Sequence, residues 1–282
     1  MKKSEKSVKT KIIKFFIFFI FINKLEQIKL IEDKYPLELH HVSKRKIRHS
    51  FFSNIETELQ AYLLGFFAAD GSINEKRKTF RIHLQIGDRE LVNLYKDIIS
   101  PDAYTFIKEE HITTGRNGIK IHAHESYGVD ITSSELCRDL VELGFGYNKS
   151  YADLHIPNIP KNLIRHFIRG YFDGDGCITG GVYQDKNKPN PRVRIHVNID
   201  GKTLSIFNDL LKFFSDNGIK MNINYLKRDN MYRICTSSKK EIKKIFHLFY
   251  DDANFYLSRK YKKFNYYVNT EVSQIISDHR NA

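Results

Sequence analysis

The chain predicts an α+β protein made of two related halves that share a central pair of helices. Three observations lead there. An apolar segment ending in Asp-Gly occurs twice, as Leu63-Leu64-Gly65-Phe66-Phe67-Ala68-Ala69-Asp70-Gly71 and as Ile168-Arg169-Gly170-Tyr171-Phe172-Asp173-Gly174-Asp175-Gly176. The segments downstream of each copy repeat in the same order: Arg81-Ile82-His83-Leu84-Gln85-Ile86 answers Arg194-Ile195-His196-Val197-Asn198-Ile199, and Ile131-Thr132-Ser133-Ser134 answers Cys235-Thr236-Ser237-Ser238. Asn148-Lys149-Ser150-Tyr151 then answers Ser258-Arg259-Lys260-Tyr261. Landmarks in fixed order, about 110 residues apart, mark a tandem duplication of a domain-sized unit. The third observation is a stripe of small residues: Gly65 and Ala69 are four apart, as are Gly170 and Gly174. Positions four apart share a helix face, so each motif helix offers a place where another backbone can approach closely. The simplest partner for each is the other.

Residues 1–50 lie outside the duplication. Lys2 to Lys11 is basic, and Ile12 to Ile22 is apolar except for Lys14. The run has no small-residue cleavage site after it and is too short to span a bilayer, so no stable membrane insertion is expected. The first repeat occupies 51–157 and opens with the motif helix, in which Leu64 and Phe67 bury against the core and Gly71 suits a helix stop. A tight hairpin near Asn74 to Lys78 leads into a strand with Phe80, Ile82, Leu84 and Ile86 on one face and Arg81, His83 and Gln85 on the other. A helix over Arg89 to Ser100, a second hairpin and a helix over Ser134 to Leu143 complete it. Within that hairpin Lys120, His122 and His124 alternate with Ile119, Ile121 and Ala123, the pattern of a further strand.

The junction Asp153-Leu154-His155-Ile156-Pro157-Asn158-Ile159-Pro160 is extended and stiffened by its two prolines. The second repeat, 158–267, keeps the same order, with Ile168 and Phe172 turned to the core, Gly176 at the helix stop, and helices over Leu204 to Asn217 and Lys239 to Tyr250. Its basic strand sets Val193, Ile195, Val197 and Ile199 against Arg192, Arg194, His196 and Asn198. The loop from Gly180 to Pro191 is longer than its counterpart. Residues 268–282 form a tail. Neither basic strand carries an acid among its outward residues, and both are rich in arginine, histidine and amide groups. That is the composition of a surface for base edges and phosphates.

The packed helices would bring Asp70 and Asp175 to one end of a common axis. Helix C-termini carry partial negative charge, so two aspartates there suit a hard divalent cation that also binds phosphate oxygens. At these residues the sequence resembles the LAGLIDADG homing endonucleases of the single-chain, two-motif class, over about residues 58–267. The resemblance implies an αββαββα fold in each half, with saddle-shaped antiparallel sheets straddling DNA and a central two-helix interface. It implies Mg²⁺ (or Mn²⁺) held by Asp70 and Asp175, with Gly71 and Gly176 beside them. Catalytic cations beside the scissile phosphates would be Lys149 in the first half and Arg259 or Lys260 in the second. DNA-binding residues would be Arg81, His83, Gln85, Lys120 and His122, and Arg192, Arg194, His196 and Asn198. Asp88, with Asp200 or Gly201 at the aligned place, matches a water-positioning residue imperfectly. Asp173 faces only Ala68 in the other copy, which makes it a poor metal ligand.

The implied activity is metal-dependent, site-specific cleavage of both strands of DNA at a long, near-asymmetric site by a monomer. An intron RNA maturase, whose partner would be the host intron RNA, and an inactive DNA-binding protein are the alternatives on the same scaffold. The intact pair Asp70 and Asp175 argues for cleavage. A net charge of +13 over 282 residues would attract a polyanion. Cys137, Cys177 and Cys235 lack metal-binding spacing and fit reduced thiols, hence an intracellular protein. Abundant Lys, Ile, Asn, Phe and Tyr without Trp suggest an AT-rich genome, such as that of a mitochondrion or chloroplast, or else a bacterial or phage cytoplasm.

Overall fold

In a computed structural model, residues 22–114, 118, 120–146, 153–186 and 190–280 are described. Residues 1–21 of the N-terminal extension, which hold its basic stretch and most of its apolar run, and Lys149 lie outside them. Helix α1 covers 22–34 and is followed by a short ribbon, β1 (Glu38–Leu39) and β2 (Lys46–Ile47). The first half then runs α2 (Glu58–Asp70), β3 (Ser72–Asn74), β4 (Thr79–Gln85), α3 (Arg89–Ile99), β5 (Thr105–Lys108), β6 (His111–Thr114), β7 (Lys120–Ala123), β8 (Ser126–Thr132) and α4 (Ser134–Glu142). The second runs α5 (Lys161–Asp175), β9 (Gly176–Tyr183), β10 (Arg192–Gly201), α6 (Leu204–Asp216), β11 (Asn222–Leu226), β12 (Met231–Thr236) and α7 (Lys239–Tyr250), then α8 (Ser258–Asn269) and α9 (Val272–Arg280). No helix among the described residues is long and apolar enough to cross a membrane.

Each half folds its strands into one antiparallel four-stranded sheet. The orders are β3-β4-β8-β5 and β11-β12-β10-β9. Read from the opposite edge, the second is the first with each strand replaced by its duplicate, so the repeat extends to topology. Both sheets are open and saddle-like. Among the described residues, strands β6 and β7 are an insertion without a counterpart: they pair with each other and join neither large sheet. The expected strand carrying Lys120 and His122 therefore forms a separate ribbon rather than a wider sheet.

Local chemistry explains the helix boundaries. Thr57 caps α2 in a reciprocal box with Gln60, and Ser133 and Ser238 cap α4 and α7 by accepting from backbone N–H groups. Helix α1 is docked onto the start of α2, where Gln27 Oε1 accepts the otherwise orphan N–H of Leu59 at 3.0 Å. Lys34 pairs with Glu56 at 2.9 Å, and Ile31 is buried in the core.

Everything turns on the contact between α2 and α5. A Cβ added to Gly65 would lie 1.8 Å from the carbonyl oxygen of Phe167, and one added to Gly170 would lie 2.1 Å from that of Tyr62. The two backbones touch where the sequence placed its small residues. Gly71 and Gly176 end their helices in extended conformations, φ −73° and −76°. Their smallness is required for another reason than a left-handed stop: a Cβ would run into the rings of Phe67 and Phe172, at 2.1 and 2.2 Å. Behind each helix the aromatic core continues, with Phe67 stacked on Phe80 and Phe172 beside Phe249 and Phe264.

The N-terminal end of this helix pair is locked by a buried ionic network. Arg169, fully buried, donates to Glu58 Oε1 at 2.6 Å, to the carbonyls of Phe249 and Phe255, and to His166 Nδ1 at 2.8 Å. Glu58 also accepts the backbone N–H and side-chain amide of Asn254, at 2.7 and 2.6 Å. Burial alone would raise the Glu58 carboxyl, but the Arg169 guanidinium and the Asn254 bonds hold it below its usual range. Because an arginine only donates, His166 Nδ1 is an acceptor and the ring is neutral. Burial, reinforced by Arg169, pushes His166 down to about 4.

This interface sets two expected outcomes. Gly65→Ala should destabilise the protein by about 1–3 kcal/mol or more, as overpacking does, whereas Gly87→Ala, which meets open space, should be nearly neutral; urea unfolding of both variants checks this. In the unfolded chain His166 takes up a proton near 6.5 and in the folded chain near 4, so between those values the unfolded state holds more protons. Stability should fall as the pH drops through that window, and less steeply in His166→Gln, which keeps an acceptor for Arg169, as urea midpoints across the window would record.

Candidate active site and nucleic-acid interface

The contact that brings the helices together also brings their last residues together. Asp70 and Asp175 are both exposed at the same end of the pair. A Cβ on Gly174 would sit 2.2 Å from Ala69 Cβ and 3.0 Å from Asp70 Oδ2, so the Asp70 carboxylate reaches across to α5 one residue before Asp175. Tyr171 donates its hydroxyl to Asp175, and burial together with the charges of Asp175 and Asp70 pushes the phenol far above its ordinary value. A cavity of about 200 Å³ opens beside Asp175, lined in part by Tyr171, Asp200, Lys202 and Thr203.

Two cations from the start of α8 flank this end. Lys260 is buried, and its ammonium donates to the carbonyls of Phe172, Gly174 and Gly176 at 2.8, 2.9 and 2.5 Å. It thus satisfies the orphan carbonyls of the α5 C-terminus. Burial, only partly offset by Asp173, pushes this amine down to about 8. One lone pair of the Gly176 carbonyl is therefore engaged by Lys260. Arg259 makes a two-pronged pair with Asp88 at 2.5 and 2.6 Å, joining the second half to the turn between β4 and α3 in the first. Asp88 is thereby an anchor for Arg259. Asp173 is fully buried and accepts from Tyr62, Tyr250 and the Leu257 N–H, which confirms it as a core group apart from the carboxylate pair.

The outward faces of the two sheets carry the expected donors. Strand register places Arg81 opposite Asp130 and His83 opposite Gly128, with Phe106 and Lys108 of β5 on the same face. Arg81 pairs with Asp130 at 3.0 Å, His83 Nε2 meets Asp130 Oδ1 at 2.7 Å, and Lys108 donates to His83 Nδ1 at 3.2 Å. The ring of His83 is thus held between Lys108 at Nδ1 and Asp130 at Nε2. Burial opposes ionisation of Asp130, but the His83 bond and the Arg81 charge hold its carboxyl below the usual range. Gln85 is exposed at the end of β4.

In the second sheet Arg192 and Arg194 both pair with Asp185, the latter at 2.9 Å, and His196 meets Ser237 at 2.9 Å. Strand β10 extends far enough that Asp200 joins its outward side, where it binds Arg233 at 2.5 and 2.7 Å. Asn198 is a correction to the expected donor set. It lies on the outward side two residues before Asp200 but is only 7% exposed, and its amide is given to Asp200 at 3.0 Å, so it supports that carboxylate from a covered position. The acid-free reading face is also corrected. Asp130 comes from the neighbouring strand, Asp185 from the turn after β9 and Asp200 from the strand's own end, none of which lies within the alternating run that the sequence pattern picked out. Arg233, Asn222 and Asn224 share the outward side of the second sheet through the β11–β12 register, and Lys108 shares that of the first. All were missed because β5, β11 and β12 carry no outward run of charge. On the inserted ribbon, His122 lies 3.7 Å from Glu110, and both are exposed.

Two family comparisons match the duplicated halves separately. The LAGLIDADG endonuclease family matches residues 168–270, and a LAGLIDADG-like domain matches residues 57–100. The chain belongs to the LAGLIDADG family. A curated relative is an uncharacterized protein of Methanocaldococcus jannaschii, 21% identical over 179 residues, which are 63% of this chain and 60% of that protein. The chain thus spans less than two thirds of the length of that relative. Among solved structures, LAGLIDADG meganuclease I-AabMI bound to uncleaved DNA superimposes with a TM-score of 0.53 at 14% identity, over 80% of this chain and 97% of that one. I-CpaMI bound to uncleaved DNA gives 0.52 at 15% identity, over 80% and 96%. I-SmaMI bound to an uncleaved DNA target with calcium ions gives 0.50 at 13%, over 80% and 97%. At these identities the likeness concerns the LAGLIDADG fold.

Proposed function

We propose that this LAGLIDADG protein is a divalent-metal-dependent endonuclease that recognises a long, nearly asymmetric duplex site and hydrolyses one phosphodiester on each strand. The observation that carries the reading is the convergence of the exposed Asp70 and Asp175 at the end of the α2–α5 pair, between two sheets whose outward sides are lined with arginine and histidine. Carboxylates beside helix C-terminal carbonyls form a hard-oxygen donor set, which fits Mg²⁺ or Mn²⁺ with phosphate oxygens completing the shell. When bound, such an ion polarises a phosphate oxygen and activates water.

The chain's own groups do the positioning. Asp70 and Asp175 hold the cation sites at a spacing fixed by the backbone contact beneath them, and the Tyr171 hydroxyl orients Asp175. Arg259, kept in place by Asp88, is the cation available to a phosphate on the second-half side, and Lys149 is its counterpart from the repeat. Lys260 contributes indirectly, by fixing the carbonyls that end α5. Because both halves reside in one chain, a monomer suffices for both strands, and the halves, which differ in sequence, would read different half-sites. The reading places the protein inside the cell or organelle that holds the target DNA.

Selection of a binding site from a randomised duplex pool, with Ca²⁺ in place of Mg²⁺, supplies a substrate for the test. Asp70→Asn and Asp175→Asn keep shape while removing charge. Each should lower Mg²⁺-dependent cleavage of a plasmid carrying the selected site by about 10²-fold or more, the scale of losing one preorganised electrostatic contact. Duplex binding in Ca²⁺ should survive in both. Wild-type-like cleavage by either variant would overturn the assignment, and tight binding of structured RNA without cleavage would favour a maturase.

A further inference from the structure

The reading faces contain a feature that affinity for DNA does not explain. In a protein of net charge +13, carboxylates sit among the very arginines that would meet phosphate. Asp130 holds Arg81 and His83, Asp185 holds Arg192 and Arg194, and Asp200 holds Arg233. A stability role accounts poorly for them, since partly exposed ion pairs contribute about 0–1 kcal/mol. Each acid also repels the backbone of any duplex laid across the sheet.

Asp130 is the most constrained of the three. It stands in the middle of β8, in register with Arg81, and its neighbour on the same face is Gly128. A Cβ on Gly128 would come within 2.5 Å of the His83 ring, so the glycine makes room for His83 to lie flat and reach Asp130. The ring is held from the other side by Lys108 at 3.2 Å and by an edge contact with Phe106. Strand register, a required glycine and a ring held on both sides thus converge on one carboxylate. An ionised carboxylate has about four acceptor positions and no hydrogen to give. Arg81 and His83 use two of them.

We propose that Asp130 is a specificity-determining residue, which orients Arg81 and uses its remaining acceptor capacity to demand an amino-bearing base beside the base that Arg81 reads. In the major groove cytosine N4 and adenine N6 are donors, whereas guanine and thymine present acceptor oxygens that a carboxylate repels. Arginine prefers guanine N7 and O6. The half-site facing the first sheet should therefore contain a guanine next to a position that accepts cytosine, or adenine, and rejects guanine and thymine. His83, held against Asp130 through Nε2, shares that carboxylate with Arg81. Discrimination comes at a cost in general affinity, because an acid left without a base donor is an unpaired charge near phosphates. The inference rests on the outward faces being a DNA surface.

The test uses the full chain in Ca²⁺ with a duplex pool carrying a randomised segment, and compares wild type, Asp130→Asn and Asp97→Asn. Asp97 is exposed on α3 beside Lys96 and controls for the loss of one negative charge. Wild type and Asp97→Asn should enrich the same site, with cytosine or adenine at one fixed position next to a guanine. Asp130→Asn should lose preference at that block alone, and should bind random-sequence duplex several-fold more tightly. If the Asn variant does not fold, Asp130→Glu, which keeps the acceptor but shifts it by one methylene, should retain the cytosine or adenine preference at reduced strength. An unchanged selected site in Asp130→Asn, or equal loss at every position, overturns the proposal while leaving the DNA-binding reading intact. A wild-type protein that enriches no sequence overturns both.

Discussion

The close approach of α2 and α5 is the constraint on which the rest of the molecule depends. Gly65 and Gly170 place carbonyl oxygens of the facing helix where a side chain would otherwise be. A parallel pair at that distance has little freedom in tilt or register, because a core of stacked aromatics presses on the outer side of each helix. The pair's two ends are then put to opposite uses. At the N-terminal end, charges are withdrawn from water and paired, with Arg169 and Glu58 sharing a network that includes His166 and Asn254. At the C-terminal end Asp70 and Asp175 remain exposed.

That asymmetry explains why several candidate groups near the site have separate tasks. A carboxylate at a helix C-terminus is disfavoured by the carbonyls around it. Lys260 relieves part of this strain at α5 by binding three carbonyls, a role that requires burial and lowers its own proton affinity. Arg259, next to it, keeps an exposed guanidinium while Asp88 fixes its direction. Neighbouring residues on one turn thus divide the work of closing a helix and presenting a cation. The outward faces show a related division: arginines supply charge, and the acids paired with them restrict where that charge can point.

Much of this was legible in the sequence, and the parts that were legible share a physical reason. The Asp-Gly motifs, the small-residue stripes and the alternation in β4 and β10 are local periodicities, which arise from helix and strand geometry alone. Duplication made each signal twice as informative, so the central interface, the sequence of elements along each half and the convergence of Asp70 with Asp175 could be read before the fold was known. Residues joined across the sheet were not. The pairing of Asp130 with Arg81 depends on the β4–β8 register, and that of Arg259 with Asp88 links positions in different halves. Asn198 looked like an outward donor by its place in the strand and is instead covered through its bond to Asp200. The β6–β7 ribbon alternates as a sheet strand does, but periodicity does not say which partner a strand will take.

The central claim is that one backbone contact sets the position of both carboxylates proposed to hold the metal. Diffraction from crystals of the full chain with a selected duplex and Mn²⁺, recorded at the manganese absorption edge, tests it most directly. Anomalous density is expected beside both Asp70 and Asp175, with each carboxylate in coordination contact and with phosphate oxygens of the two strands close by. Density elsewhere, with neither aspartate in contact, would contradict the account.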